Sequence, residues 1–168
     1  ALIALGAGFT PVLSGRENIQ VNASVLGASK REIENRLDDI IEFSELAHAI
    51  DSPVRTYSSG MSARLGFAIA SSFQPDLLLV DEVLAVGDAK FRARCYKRMS
   101  DLLADGTAIV LVSHSLSQIA GVCNRGLFLE GGQPKLYGST SDCIEAYLMS
   151  TQRRHDSQRT STGSAAID

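Results

Sequence analysis

The stretch PDLLLVDEVLAVGDAKF (residues 75–91) decides the fold. Pro75 and Asp76 punctuate its start. Apolar residues 77–80 follow without a break and end on two carboxylates, Asp81 and Glu82. An unbroken apolar run of this kind suits a strand covered on both faces, as in a parallel sheet. Asp88 then heads a helical pattern that reaches Ala104. It turns Phe91, Cys95, Met99, Leu102 and Leu103 inward, with Gly106 as its stop. TAIVLVSH (residues 107–114) repeats the strand signal, an apolar run at 108–112 followed by His114. Strands alternating with helices predict an α/β domain with a mainly parallel sheet.

The flanking chain fills in the outline. Residues 1–8 read as a short strand or turn entry, and 10–19 as a loop punctuated by Pro11 and Gly15. SKREIENRLDDIIEF (residues 29–43) carries a capping box, Ser29 with Glu32. Its Ile33, Leu37, Ile40 and Ile41 recur at helical spacing. A second short helix is predicted over 44–50, and Pro53 forces extended backbone before it. Residues 59–73 form a helix that is apolar on more than one side and therefore largely buried. Ser115 opens a further short helix. GLFLEGGQPKLYG (residues 126–138) gives two short strands about a turn at 131–134. Residues 141–149 form a last amphipathic helix. The polar, Ser/Thr-rich residues 151–168 read as a disordered tail or linker.

Composition narrows the class. The 168 residues are 45% hydrophobic and 21% charged, without Trp, which fits an ordinary α/β domain. A formal charge of -3 gives no basic excess, which argues against a nucleic-acid partner. No run approaches the roughly 20 apolar residues that span a bilayer. The three cysteines, Cys95, Cys123 and Cys143, are an odd count without a CxxC, so they read as reduced thiols of a cytosolic protein. The opening ALIALGAGF is apolar from its first residue and lacks Met, as expected of a piece of a longer chain.

The chemistry-bearing residues lie at element ends. Asp81 stands at the carboxyl end of a strand, the edge where open parallel sheets bind ligands. A carboxylate there can hold Mg²⁺ against a nucleotide phosphate. Glu82 points to the other side and can orient or deprotonate a water. His114 ends the second apolar strand and can donate to a phosphate. In TYSSGMSARLGFAIASSF (residues 56–73), Ser58, Ser59 and Gly60 open a helix whose free N–H groups attract anions. Taken one by one, each also fits a plain strand cap, turn or N-cap.

Their order carries more. YSSGM (57–61), LLLVDE (77–82), AVGD (85–88) and the switch-type His114 resemble, in sequence and spacing, the ATP-binding cassette (ABC) family of transporter ATPases. The first looks like a variant of the family's LSGGQ signature, the second like its Walker B strand, the third like its D-loop. LGAGFTPVLSGREN (5–18), YSSGM and VLAVGD (83–88) further resemble the subfamily that exports lipid-linked polysaccharides. The resemblance covers most of residues 1–150. It implies a partial ABC ATPase domain, with a helical signature subdomain over about 20–73 and a Walker B to C-terminal core over 74–150.

The resemblance also implies a mechanism. Two cassettes would pair as a homodimer. Ser58, Ser59 and Gly60 would touch the γ-phosphate of ATP bound to the other cassette, and Asp88 would link the two sites. Asp81 would support Mg²⁺, Glu82 would be the general base, and His114 would sense the γ-phosphate. Residues 8–17 would pass the motion to an integral membrane permease, placing the subunit peripherally on the cytoplasmic face of the inner membrane. The polysaccharide would be touched indirectly.

Two parts of the family pattern are missing. No GxxxxGK[ST] phosphate loop occurs, so truncation upstream is expected. The Q-loop glutamine should fall near Ala4 and Leu5, where none stands. The alternatives are a non-transport ABC ATPase, or a non-hydrolysing regulatory module if the chain natively starts at Ala1.

Overall fold

A computed structural model describes residues 2–3, 8–81 and 88–163, with side chains over 8–81 and 88–153. The chain divides into two compact units, residues 1–114 and 115–168.

In the first unit, β1 (Leu2–Ile3), β2 (Leu77–Asp81) and β3 (Ala108–Val112) form a parallel sheet in that order. Leu2 pairs with Leu79, and Leu77, Leu79 and Asp81 pair with Ala108, Val110 and Val112. The α/β class with a parallel sheet is therefore as expected. Burial of both strand faces is not. Leu78 and Val80 are buried, but Leu77, Val110 and Val112 keep 41, 50 and 58% of their surface exposed. These three lie on one face, because registered residues of parallel strands point the same way. Among the described residues that face is uncovered.

Around the sheet stand α1 (Gly15–Val25), α2 (Lys30–Ser44), α3 (Ser59–Ala70) and α4 (Ala89–Ala104). Helix α1 replaces much of the loop expected over 10–19. Ser14 and Glu17 form a reciprocal capping box, which nucleates it. Ser29 and Glu32 form the expected box at α2. The expected helix over 44–50 is instead a series of turns. Glu45 adopts left-handed backbone (φ 59°), which stops α2. Of the five residues expected to face inward from α4, Phe91, Cys95, Met99 and Leu102 are buried, whereas Leu103 is exposed. Burial pushes the Cys95 thiol up to about 12, so it behaves as an apolar core group.

Where α2, α3 and α4 meet, three rings pack in the core. Phe43 stacks on Phe67 with centroids 5.9 Å apart and meets Phe91 edge-on at 5.7 Å. Such pairs add about 0.5–1.5 kcal/mol beyond area burial.

The second unit begins with α5 (Leu116–Val122), followed by the antiparallel hairpin of β4 (Arg125–Glu130) and β5 (Gln133–Ser139). The turn is tighter than the sequence suggested: it is Gly131-Gly132 alone, with φ 58° and 75°, the two positive values a type I′ turn requires. Pro134 lies in β5, opposite a bulge at Phe128/Leu129 that tolerates its missing N–H. Helix α6 (Thr140–Gly163) packs on the hairpin. Phe128 meets Tyr147 edge-on at 5.9 Å, and a Cβ at Gly126 would come within 2.9 Å of the Cys143 Cβ. The helix continues through Gly163, past residue 151 where the sequence reads as a disordered tail or linker. Once the first turns are docked, each further residue adds a hydrogen bond without a new nucleation cost. Residues 164–168 lie outside the described residues.

Candidate functional site

Helix α3 begins as its sequence dictates. Ser58 has extended backbone, and its Oγ accepts the Met61 N–H at 3.2 Å. The Ser62 N–H bonds the Ser58 carbonyl at 3.0 Å. The first N–H groups of a helix have no intrahelical acceptor, so those of Ser59 and Gly60 face outward. Ser58 and Ser59 are exposed and Gly60 half-buried. A helix end of this kind carries roughly half a positive charge.

The approach to that helix end is clamped. Backbone N–H groups of Val54 and Arg55 donate to Leu13 and Pro11, both at 2.9 Å, and that of Arg16 to Ile50 at 3.0 Å. Residues 11–16 are thereby strapped to 50–55, which run directly into the YSSGM segment. The Tyr57 hydroxyl donates to the Ala49 carbonyl at 2.7 Å, and burial raises its pKa. A Cβ at Gly15 would lie 2.4 Å from that hydroxyl, so only glycine fits there without displacement.

Inside the strap, Asn18 is fully buried and saturated. Its Oδ1 accepts the Thr10 N–H at 2.8 Å, and its Nδ2 donates to the carbonyls of Thr10, Leu13 and Ser14 at 3.1, 3.2 and 2.9 Å. On the surface, Arg16 holds Asp51 through two bonds of 2.8 and 3.3 Å, a hydrogen-bonded pair that lowers the Asp51 pKa.

Asp81 and His114 come together at the carboxyl edge of the sheet. Asp81 pairs in register with Val112, and His114 follows two residues later; both are exposed. Glu82 and the segment 83–87 lie outside the described residues, as do Ala4 and Leu5.

Asp88 caps α4. Its Oδ1 accepts the Phe91 N–H at 2.8 Å, and its Oδ2 meets Arg64 of α3 at 3.3 Å. That N–H first, then Arg64, holds the carboxyl below its usual range. Arg64 also meets Glu45 at 2.7 Å, and Glu45 meets Arg94 at 2.8 Å. The guanidinium groups of Arg64 and Arg94 lie 4.8 Å above Phe91 and Phe43 respectively. Sequence reasoning missed Asn18, Glu45, Arg64 and Arg94. For Asn18 the Ser14–Glu17 box was an available signal; for the ion network there was none.

Comparisons with known proteins bear on the fold and on the sequence as a whole. A solved structure of the ATP-binding subunit of an ABC transporter superposes with a TM-score of 0.78 at 24% identity, covering 88% of this chain and 61% of that one. A dimeric ATP-binding cassette in a post-hydrolysis state, bound to ADP and phosphate, superposes at 0.69 and 19% identity, covering 83% of this chain and 62% of that one. No family model matches. The described fold is the one these two structures share.

Sequence relatives sharpen this. An O-antigen export system ATP-binding protein, RfbB, of Klebsiella pneumoniae is 46% identical over 147 residues, 88% of this chain and 60% of that protein. The teichoic acids export ATP-binding protein TagH of Enterococcus faecalis is 44% identical over 147 residues, 88% of this chain and 33% of that protein. The chain is similar over 88% of its length to ATP-binding proteins of O-antigen and teichoic acid export, and it spans 60% of the length of the Klebsiella relative.

Proposed function

We propose that the protein is the nucleotide-binding subunit of an ABC exporter, coupling ATP hydrolysis to export of a lipid-linked polysaccharide across the inner membrane. The observation that carries this reading is the exposed α3 N-terminus, capped by Ser58 and opening on Ser59 and Gly60, in a chain 46% identical to an O-antigen export ATP-binding protein.

In this reading two cassettes face each other. The Ser59 and Gly60 N–H groups and the Ser58 hydroxyl grip the terminal phosphate of ATP held by the opposite cassette, as helix N-termini do. His114 donates to the same phosphate, and Glu82 accepts the proton of the attacking water. Asp88 lies beside the opposite cassette.

Among the described residues no group of three or more His, Cys, Asp or Glu could hold a metal ion. Asp81, exposed at the carboxyl end of β2, would serve as a carboxylate ligand. That suits Mg²⁺, which is bound through one or two carboxylates plus phosphate oxygens and water. When bound, the ion would supply charge neutralisation at the phosphates.

Loss of the γ-phosphate removes the charge that the helix end grips, so the closed pair opens by population shift. The strap between residues 11–16 and 50–55 makes residues 8–17 and the α3 N-terminus one mechanical piece. That piece would pass the motion to a membrane-embedded permease. Among the described residues no helix is long and apolar enough to cross a membrane. In this reading the subunit sits peripherally against that permease, on the cytoplasmic face.

Glu82→Gln in the full-length protein tests the reading. ATP binding should persist while turnover falls by about a hundredfold or more, the range for loss of a general base. Unchanged steady-state ATPase would reject Glu82 as the base.

A further inference from the structure

We infer that Glu45 is a positioning residue. Its carboxylate balances the charge of Arg64 of α3, and that balance fixes where Asp88 stands relative to the Ser58–Gly60 helix end. This rests on the proposed function, in which both of those features act in the closed pair of cassettes.

Each Glu45 oxygen has its own partner: Oε2 meets Arg64 at 2.7 Å, and Oε1 meets Arg94 at 2.8 Å. Arg64 spends its other terminal nitrogen on Asp88 at 3.3 Å. One carboxylate therefore connects the end of α2, the middle of α3 and both the cap and second turn of α4. Salt bridges at exposed sites contribute little, because water screens them and the side chains lose entropy. These groups differ. The Arg64 and Glu45 side chains are only 19% and 28% exposed, while Asp88 at the outer end of the network is 62% exposed. The two arginines also lie over Phe91 and Phe43, members of the buried ring cluster. Each guanidinium thus sits over a ring and beside a Glu45 oxygen.

The Glu45 backbone adds to this. It is one of two non-glycine residues with positive φ among the described residues. A bulky residue seldom adopts that conformation unless its surroundings impose it. Neutralising Glu45 removes the counter-charge of Arg64 on the α2 side and leaves Asp88 as its remaining anion. The cap of α4 is then pulled by an unbalanced guanidinium.

The test compares two variants of the full-length protein. Glu45→Gln breaks the charge balance at Arg64. Arg94→Gln removes a comparable ion pair but leaves Glu45, Arg64 and Asp88 connected. For Glu45→Gln, kcat should fall about tenfold with KM for ATP unchanged, within the range of long-range coupling mutations. For Arg94→Gln, kcat should stay within about threefold of wild type at a similar melting temperature. Equal kcat losses in the two variants, tracking their loss of melting temperature, would reduce Glu45 to a structural role. Wild-type kcat in Glu45→Gln would overturn the proposal outright. Should Glu45→Gln fail to fold, Arg64→Lys asks the same question, since an ammonium cannot bridge both carboxylates in the fork geometry. The same kcat loss at constant KM supports the proposal, and wild-type kcat overturns it. If Glu82→Gln stalls turnover while Glu45→Gln does not, this inference alone fails. If neither variant affects turnover, the functional reading fails with it.

Discussion

The Asn18 side chain and the Thr10 backbone exchange two hydrogen bonds: the Thr10 N–H to Oδ1 at 2.8 Å, and Nδ2 to the Thr10 carbonyl at 3.1 Å. Two more bonds from Nδ2, to Leu13 and Ser14, complete a buried side chain that holds the whole 10–14 loop. Leucine has the same number of side-chain heavy atoms, in bulkier methyl groups, and none of these bonds. Asn18→Leu should cost about 2–4 kcal/mol, because backbone groups of the loop lose their partners in a site shielded from water. Urea denaturation measures it. A loss below about 0.5 kcal/mol would mean the loop holds itself.

Gly15 and Tyr57 form a second tight pair. A Cβ at Gly15 would meet the Tyr57 hydroxyl at 2.4 Å and the Ile50 Cδ1 at 2.9 Å. Gly15→Ala should destabilise the fold by about 1–3 kcal/mol through overpacking. Tyr57→Phe alone should cost about 1 kcal/mol for the lost bond to Ala49. The double variant should be more stable than the two losses added together, because removing the hydroxyl makes room for the methyl. Simple additivity in a double-mutant cycle would contradict the geometry.

Acid should loosen the helix starts together. Glu17, Glu32 and Asp88 are depressed by hydrogen bonds at helix caps, and Asp51 by its bond to Arg16. A carboxylate with a depressed folded pKa contributes stability above its unfolded value and loses it as pH falls through the folded one. With unfolded values of about 4, the contribution is complete at neutral pH and down to about 5. The melting temperature should therefore be flat, as far as these groups are concerned, from about pH 7 to 5 and drop below about 4. Replacing Glu17 and Glu32 by Gln should flatten that acid limb. A limb of unchanged steepness would show that other groups drive it.

How much of this was legible depended on how local each signal is. The strands at 77–81 and 108–112 were readable because apolar runs need no partner to be recognised. So were the starts of α3 and α4, since Ser58 and Asp88 cap their own helices. Ser58, Asp81, Asp88 and His114 could be placed at element ends for the same reason. Helix α1 was not read, because Pro11 and Gly15 look like loop punctuation. Gly15 is in fact small because Tyr57 and Ile50 crowd it, and the Ser14–Glu17 box is the local signal of a helix start there. The stop at Glu45 had no sequence signature, since a left-handed glutamate is imposed by its surroundings. The Glu45–Arg64–Arg94 network was illegible for a related reason: positions 45, 64 and 94 meet only once three helices have packed. Apolar strand composition also overstated burial, because one face of the sheet stays open among the described residues.

The central claim is that Ser58, Ser59 and Gly60 grip a terminal phosphate bound to a second cassette. It is tested most directly by a structure of the full-length Glu82→Gln protein trapped with ATP. The account expects the Ser58 hydroxyl and the Ser59 and Gly60 N–H groups within about 3 Å of γ-phosphate oxygens of the opposing subunit's nucleotide. A closed, ATP-loaded pair in which those groups stand about 8 Å or more from that phosphate, beyond any hydrogen bond, would contradict it.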